Sequence, residues 1–145
     1  MSLEELYQEV LLDHARHPRG RAAIPDGEAL ADEENPVCGD RVRVRVRVED
    51  GRVRGLEFDG KGCAICTASG SLLAEWADGR PASEVRAAIA AFASAMRGER
   101  PLDGFDGTDI PALEGVKRFP MRVKCATLAW HALDKALARA ERRNG

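Results

Sequence analysis

The chain has 145 residues, close to the commonest size of one folding unit, so one domain over residues 1–145 with a single core is expected, without disulfide staples. Its 22 Lys+Arg against 24 Asp+Glu leave a net charge of -2, which argues against a general nucleic-acid binder or a polybasic membrane-surface protein. Hydrophobic residues at 44% and charged residues at 32% exclude a disordered or fibrous chain.

Residues Met1 to Val10 carry Glu4, Glu5 and Glu9 where a signal peptide would carry Lys or Arg. No apolar run approaches the roughly 18 residues of a membrane span, so a soluble, cytoplasmic protein is expected. Ser2 and Glu5 have the form of a capping box, and Leu3, Leu6, Tyr7, Val10, Leu11 and His14 recur at helical spacing. This pattern predicts a helix over about residues 3–16, ending before Pro18. Residues 18–37 hold Pro18, Gly20, Pro25, Gly27, Pro36 and the acidic run Asp32, Glu33, Glu34. They read mostly as loop, with room for a short strand at Glu28–Ala31.

From Arg41 to Val48 arginine and valine alternate strictly, a period that a strand uses to separate two faces. Asp50-Gly51 marks a hairpin turn. The returning Leu56 and Phe58 must share the buried face with Val44 and Val46. A two-residue loop would set Val48 opposite Val53 and Leu56 opposite Arg45, burying the wrong face. A three-residue loop, Asp50-Gly51-Arg52, sets Val46 opposite Leu56, Val44 opposite Phe58, Arg45 opposite Glu57 and Arg43 opposite Asp59, and this register is expected.

Lys61-Gly62-Cys63 ends the hairpin, and a helix follows over Ala64–Asp78 with Ile65, Leu72, Leu73 and Trp76, stopped by Gly79. Ser83 is the expected cap of a helix over Glu84–Arg97, whose stripe is Val85, Ala88, Ile89, Phe92 and Met96. Residues 98–115 read as a long loop with one helical turn after Asp109-Ile110-Pro111. A last helix, Met121–Arg142, carries Val123, Ala126, Trp130, Leu133 and Leu137 on one side.

Of the four cysteines, Cys38 precedes the Arg/Val strand, Cys63 falls between strand and helix, and Cys125 lies near the start of the last helix. Two of these places are helix N-termini, where the dipole favours the thiolate that binds metal or attacks sulfur. Asp40 stands two residues from Cys38. Together Cys38, Asp40, Cys63 and Cys125 offer the four anionic ligands of a tetrahedral zinc site. By spacing alone the alternative for each cysteine is a small buried hydrophobe, a reading that suits Cys125 better than the loop residue Cys38. The arginine face reads as a solvated, salt-bridged surface. His14, His17 and His131 read as surface or packing residues, and Trp76 and Trp130 as core.

Three segments carry a resemblance: Asn35-Pro36-Val37-Cys38-Gly39-Asp40, Gly60-Lys61-Gly62-Cys63-Ala64-Ile65, and Arg122-Val123-Lys124-Cys125-Ala126-Thr127-Leu128-Ala129-Trp130. They resemble, in order, the signatures of the IscU/SufU/NifU N-terminal family of iron-sulfur cluster assembly proteins. The long segment 98–120, and Lys124 where the IscU branch has His, resemble the SufU branch. The resemblance implies an α+β fold, a small antiparallel sheet of about three strands covered by helices. It also implies zinc held by Cys38, Asp40, Cys63 and Cys125, with Lys61, Arg122, Lys124 and Arg41 as candidates to offset the site's negative charge. It further implies sulfur transfer from a SufS-like cysteine desulfurase, a transient 2Fe-2S cluster with its iron, and delivery to downstream assembly factors or apo-proteins. Such a protein is a sulfurtransferase-like partner of the desulfurase rather than a stand-alone enzyme, with no nucleic acid or membrane partner. Cys38, in a Pro- and Gly-bearing loop that is expected to move at lower cost than the helix starts at Cys63 and Cys125, is the expected sulfur acceptor.

Cys66 departs from the branch, which usually has Ser there, and creates Cys63-x-x-Cys66 at a helix start. It packs as a small residue, adds a fifth ligand, or forms a protective disulfide. Two alternatives therefore stand: a dithiol redox protein using Cys63 and Cys66, and a structural-zinc binding module.

Overall fold

The computed structural model describes residues 9–36 and 39–144. In chain order it contains α1 (Glu9–Arg16), β1 (Ala31–Asn35), β2 (Asp40–Glu49), β3 (Arg52–Lys61), α2 (Ala64–Ala77), α3 (Ala82–Met96), a 3-10 helix (Ile110–Arg118) and α4 (Pro120–Asn144). The strands form an antiparallel sheet in the order β1-β2-β3. Helix α4 crosses β2 and β1, α2 packs beside α4, and α1 and α3 close the outer sides. This is the expected α+β arrangement. The Ser2/Glu5 capping box lies outside the described residues.

The Arg/Val alternation divides β2 as the period predicts. Val42, Val44 and Val46 are buried, while the arginines turn outward onto acids. Arg41 pairs with Asp32, Arg43 with Asp26 and Asp59, Arg45 with Glu28 and Glu57, and Arg47 with Glu49. Exposed pairs of this kind stabilise little individually. Their effect is to let a row of like charges sit on one face. The same pairing explains why the acidic run is strand, one step beyond the expected Glu28–Ala31. Asp32 lies across from Arg43 and Glu34 across from Arg41, so carboxylates that look suited to a solvated loop gain cationic neighbours as an edge strand.

The hairpin corrects one expectation and keeps another. Val44 pairs with Phe58, Arg45 with Glu57 and Arg43 with Asp59, as expected, but Val48 pairs with Val53 and Glu49 with Arg52. The loop therefore has two residues, Asp50 at φ 53° and Gly51 at φ 74°, both in the left-handed conformation that suits a tight hairpin. A bulge between Arg45 and Arg47 reconciles the two registers. Gly55 and Leu56 together stand opposite Val46, and Gly55 takes φ 59°, so burial passes from Val53 to Leu56 and Phe58 without exposing an apolar side chain. Each register considered from sequence is correct on its own side of the bulge.

Helix α3 starts at Ala82 with Pro81 at the cap, not at Ser83. The backbone before it is tied to the hairpin: Gly79 N–H donates to Val53 O (2.9 Å), Val53 N–H to Arg80 O (2.9 Å) and Ala82 N–H to Gly51 O (2.8 Å). The single turn expected after Asp109 continues to Arg118, because Ile110, Leu113 and Val116 recur every third residue and are all buried. The long segment before it is anchored by Phe105, whose ring meets Trp130 edge-on at 5.7 Å. Trp130 stacks on Phe92 at 3.7 Å, and Trp76 joins the same cluster, so both tryptophans are core.

Gly55→Ala places a Cβ in a left-handed conformation and should lower stability by about 1–2 kcal/mol. The expected result is a lower urea midpoint with an unchanged m-value.

Candidate metal centre

Asp40 opens β2 directly across from Asn35, and the next pair, Arg41 with Lys61, brings the end of β3 alongside. Two residues later Cys63 caps α2 with an extended backbone (φ -67°, ψ 171°) and no side-chain cap bond, leaving its sulfur available to the site. Cys125 reaches the same end of the sheet from the second turn of α4. The Asp40 carboxylate and the Cys63 and Cys125 sulfurs offer ligand atoms within 4.8 Å of one another.

The two cysteine-bearing helices are held in register by Ser69. Its hydroxyl donates to Ala126 O (2.5 Å) and accepts from Trp130 Nε1–H (2.9 Å). All three groups are buried, so the bonds form where water cannot compete. Ala126 is the neighbour of Cys125, and Ser69 lies less than two turns beyond Cys63. Gly62 sets the depth of the site from the other side. A Cβ there would stand 2.7 Å from Cys66 Sγ and 3.6 Å from Asp40 Cγ, so only glycine lets the chain pass between them.

Asp40 is buried, and its Oδ2 has no hydrogen-bond partner among the described residues. Burial pushes the Cys125 thiol up, and the adjacent Asp40 carboxylate and Cys63 push it further. A bound divalent cation reverses both effects, neutralising the carboxylate and favouring the thiolate. The donor set, two sulfurs and a hard oxygen facing one point, fits zinc or a comparable thiophilic metal. Cys38, the expected fourth ligand, lies outside the described residues.

The remaining sequence candidates fall around this cluster. Arg41 is engaged by Asp32 through Nε (2.9 Å) and Nη2 (2.5 Å), so its charge is shared with that carboxylate. Lys61 and Lys124 are exposed and Arg122 is half-buried. Cys66 is buried one turn along α2, its sulfur against Gly62 and outside the three-residue cluster. None of Cys63, Cys66 and Cys125 is in a disulfide. A second group, His14, Glu75 and Asp109, also offers mutually close ligand atoms. His14 there bonds Ser71 through Nδ1 (2.7 Å), and Glu75 pairs with Arg19 (3.5 Å), which accounts for the buried imidazole as a packing residue.

A sequence model of the NifU-like N terminal domain matches residues 6–145. The chain belongs to this family. It is similar to the zinc-dependent sulfurtransferase SufU of Bacillus subtilis, with 37% identity over 97% of this chain and 95% of that one. It is also similar to the iron-sulfur cluster assembly scaffold protein IscU of Thermotoga maritima, with 33% identity over 98% and 99%. The crystal structure of the N-terminal part of a NifU-like protein from Brucella abortus has the same fold, at a TM-score of 0.86 and 24% identity over 97% of this chain and 98% of that one.

Ser69 and Gly62 were not among the residues expected to shape the site. Ser69 had a legible signal, since it lies four residues after Ile65 and three before Leu72, a polar position on an apolar stripe. Ser69→Ala should leave Trp130 Nε1–H buried without an acceptor and cost about 1–3 kcal/mol. A lower urea midpoint, with the metal-free protein still cooperative, is the expected observation.

Proposed function

We propose that residues 1–145 act as one SufU-type domain that binds a single zinc through Cys38, Asp40, Cys63 and Cys125. In this reading the domain accepts sulfur from a cysteine desulfurase for iron-sulfur cluster assembly in the cytoplasm, where reducing conditions keep the thiols available. The observation that carries this reading is the convergence of Asp40, Cys63 and Cys125 around a buried carboxylate oxygen that has no hydrogen bond among the described residues. Cys38, two residues before Asp40, completes a tetrahedral set. Family membership and the similarity to a zinc-dependent sulfurtransferase support the same choice of metal and chemistry.

Bound zinc supplies the positive charge that keeps ligand sulfurs as thiolates near neutral pH. The protein's own part is the transfer. The Cys38 thiolate attacks the outer sulfur of a persulfide on the desulfurase, a new S–S bond forms on Cys38, and the old one breaks to leave the desulfurase cysteine as thiolate. Cys63 and Cys125 are held by the start and second turn of two packed helices, so Cys38 is the ligand that can leave at lowest cost. Lys61, Arg122 and Lys124 offset the negative charge of the ligand set. Iron and a transient 2Fe-2S cluster are cargo in this scheme, passed on to later assembly factors or apo-proteins.

Elemental analysis of freshly purified protein should find about one zinc per chain, and Cys63→Ala or Cys125→Ala should remove most of it. After incubation with desulfurase and cysteine, peptide mass spectrometry should locate the added sulfur on Cys38. Full zinc occupancy in the single cysteine variants, or sulfur on Cys63, would overturn the assignment.

The Asp40 ligand makes a second expectation. Carboxylate binds zinc less firmly than thiolate but still completes the shell, so Asp40→Ala should hold zinc less firmly, with faster exchange, or lengthen the life of an anaerobically reconstituted iron-sulfur cluster. Unchanged exchange and lifetime would leave Asp40 a turn residue.

A further inference from the structure

A second set of metal-binding side chains lies at the other end of α2. His14 of α1, Glu75 of α2 and Asp109, the residue before the 3-10 helix, offer ligand atoms within 4.8 Å of one another. Glu75 is twelve residues beyond Cys63, about 18 Å along the helix, so this group is separate from the Asp40 cluster. Each of the three has coordinating capacity that the fold does not use. The bond to Ser71 Oγ (2.7 Å) explains how the His14 ring can be buried, and it engages Nδ1 alone. Nε2 faces Asp109 Oδ2 at 3.7 Å, beyond hydrogen-bond length. Asp109 stands at the cap of the 3-10 helix without using its carboxylate as a cap. Glu75 shares Arg19 with Asp13, and the guanidinium is nearer Asp13 (2.9 Å) than Glu75 (3.5 Å).

We propose that His14, Glu75 and Asp109 bind a divalent first-row transition ion, zinc or one of its neighbours, which fastens the segment before the 3-10 helix to α1 and α2. One ring nitrogen and two carboxylates are a donor set that such ions take, whereas magnesium keeps to oxygen. The two carboxylates cancel the double charge of the ion. Ser71 supplies the outer hydrogen bond that commonly orients a metal-bound imidazole, and its own position is fixed by the Arg19 N–H, which donates to Oγ (2.8 Å). Glu75 and Asp109 also line a cleft of about 380 Å³ with Asp78 and Thr108, which has room for the water that completes a three-ligand shell. Arg80 borders the same cleft, but its guanidinium donates to Trp76 O (2.7 Å) and Glu84 (3.2 Å), so it does not neutralise the two carboxylates. His14 and Glu75 belong to packed helices, while Asp109 belongs to the long segment that Phe105 anchors in the core. The ion adds a second anchor at the surface end of that segment. With three protein donors and two of them exposed, this is the weaker site, filled when the metal is supplied and emptied by dialysis.

The test titrates full-length, dialysed protein with zinc against a chromophoric chelator and follows tryptic cleavage after Arg97 and Arg100 with and without the metal. Wild type is compared with Asp109→Asn and Glu75→Gln, both at exposed positions that leave the core intact, and with Cys125→Ala, which disables the thiol cluster instead. Wild type should take up about one zinc beyond the firmly held one. Asp109→Asn and Glu75→Gln should each weaken that uptake by about tenfold or more, and Cys125→Ala should keep it. Zinc should slow cleavage in wild type and not in the two carboxylate variants, and magnesium should do neither. Equal zinc uptake in wild type and both carboxylate variants would overturn the proposal, as would loss of the additional uptake in Cys125→Ala alone, which would return that zinc to the thiols.

Discussion

A carboxylate buried beside two thiols is unfavourable unless a cation joins it, and this is the constraint on which the functional end of the molecule depends. Asp40 has one oxygen with no hydrogen bond among the described residues, in a position where the neighbouring Cys125 thiol resists ionisation. Leaving a buried polar atom unsatisfied costs roughly 1–3 kcal/mol. A fold that retains such a group must recover that cost when the site is filled. A divalent ion placed there would recover that cost, and its charge would favour the thiolate form of the sulfurs.

The rest of the structure serves to hold three chain segments at one point with little freedom. The hairpin bulge at Gly55 lets a tight two-residue turn coexist with the register that ends β3 beside Asp40. Gly62 then brings the chain past Asp40 and Cys66 at a distance no other residue permits. Ser69 locks α2 to α4, so that the cap residue of one helix and the second turn of the other face the same place. Rigid support of this kind is what a ligand set needs if one member is to come and go while the others keep their geometry.

Much of this arrangement was legible in the sequence. The period of two in β2, the helical stripes of α2 and α4 and the placement of cysteines at element junctions are local patterns, and each maps to the described fold. The cluster of Asp40, Cys63 and Cys125 followed from the same junctions together with a family resemblance. What the sequence hid was non-local. The two hairpin registers looked mutually exclusive because a bulge satisfies both only when a glycine absorbs the extra residue. The acidic run at 32–34 looked like loop because the arginines and Lys135 that neutralise it lie elsewhere in the chain. The start of α3 was displaced from Ser83 by backbone bonds to the hairpin, a tertiary influence that outranks a local cap preference. Gly62 and Ser69 matter through what they approach in space.

The central claim is that one carboxylate and three thiolates form the resting metal site. X-ray absorption at the zinc edge of the purified, full-length protein tests it most directly. The account predicts about three sulfurs near 2.3 Å and one oxygen near 2.0–2.2 Å. A shell of four sulfurs, or one with two nitrogens, would contradict it, since either would remove Asp40 from the metal and leave its buried oxygen without an explanation.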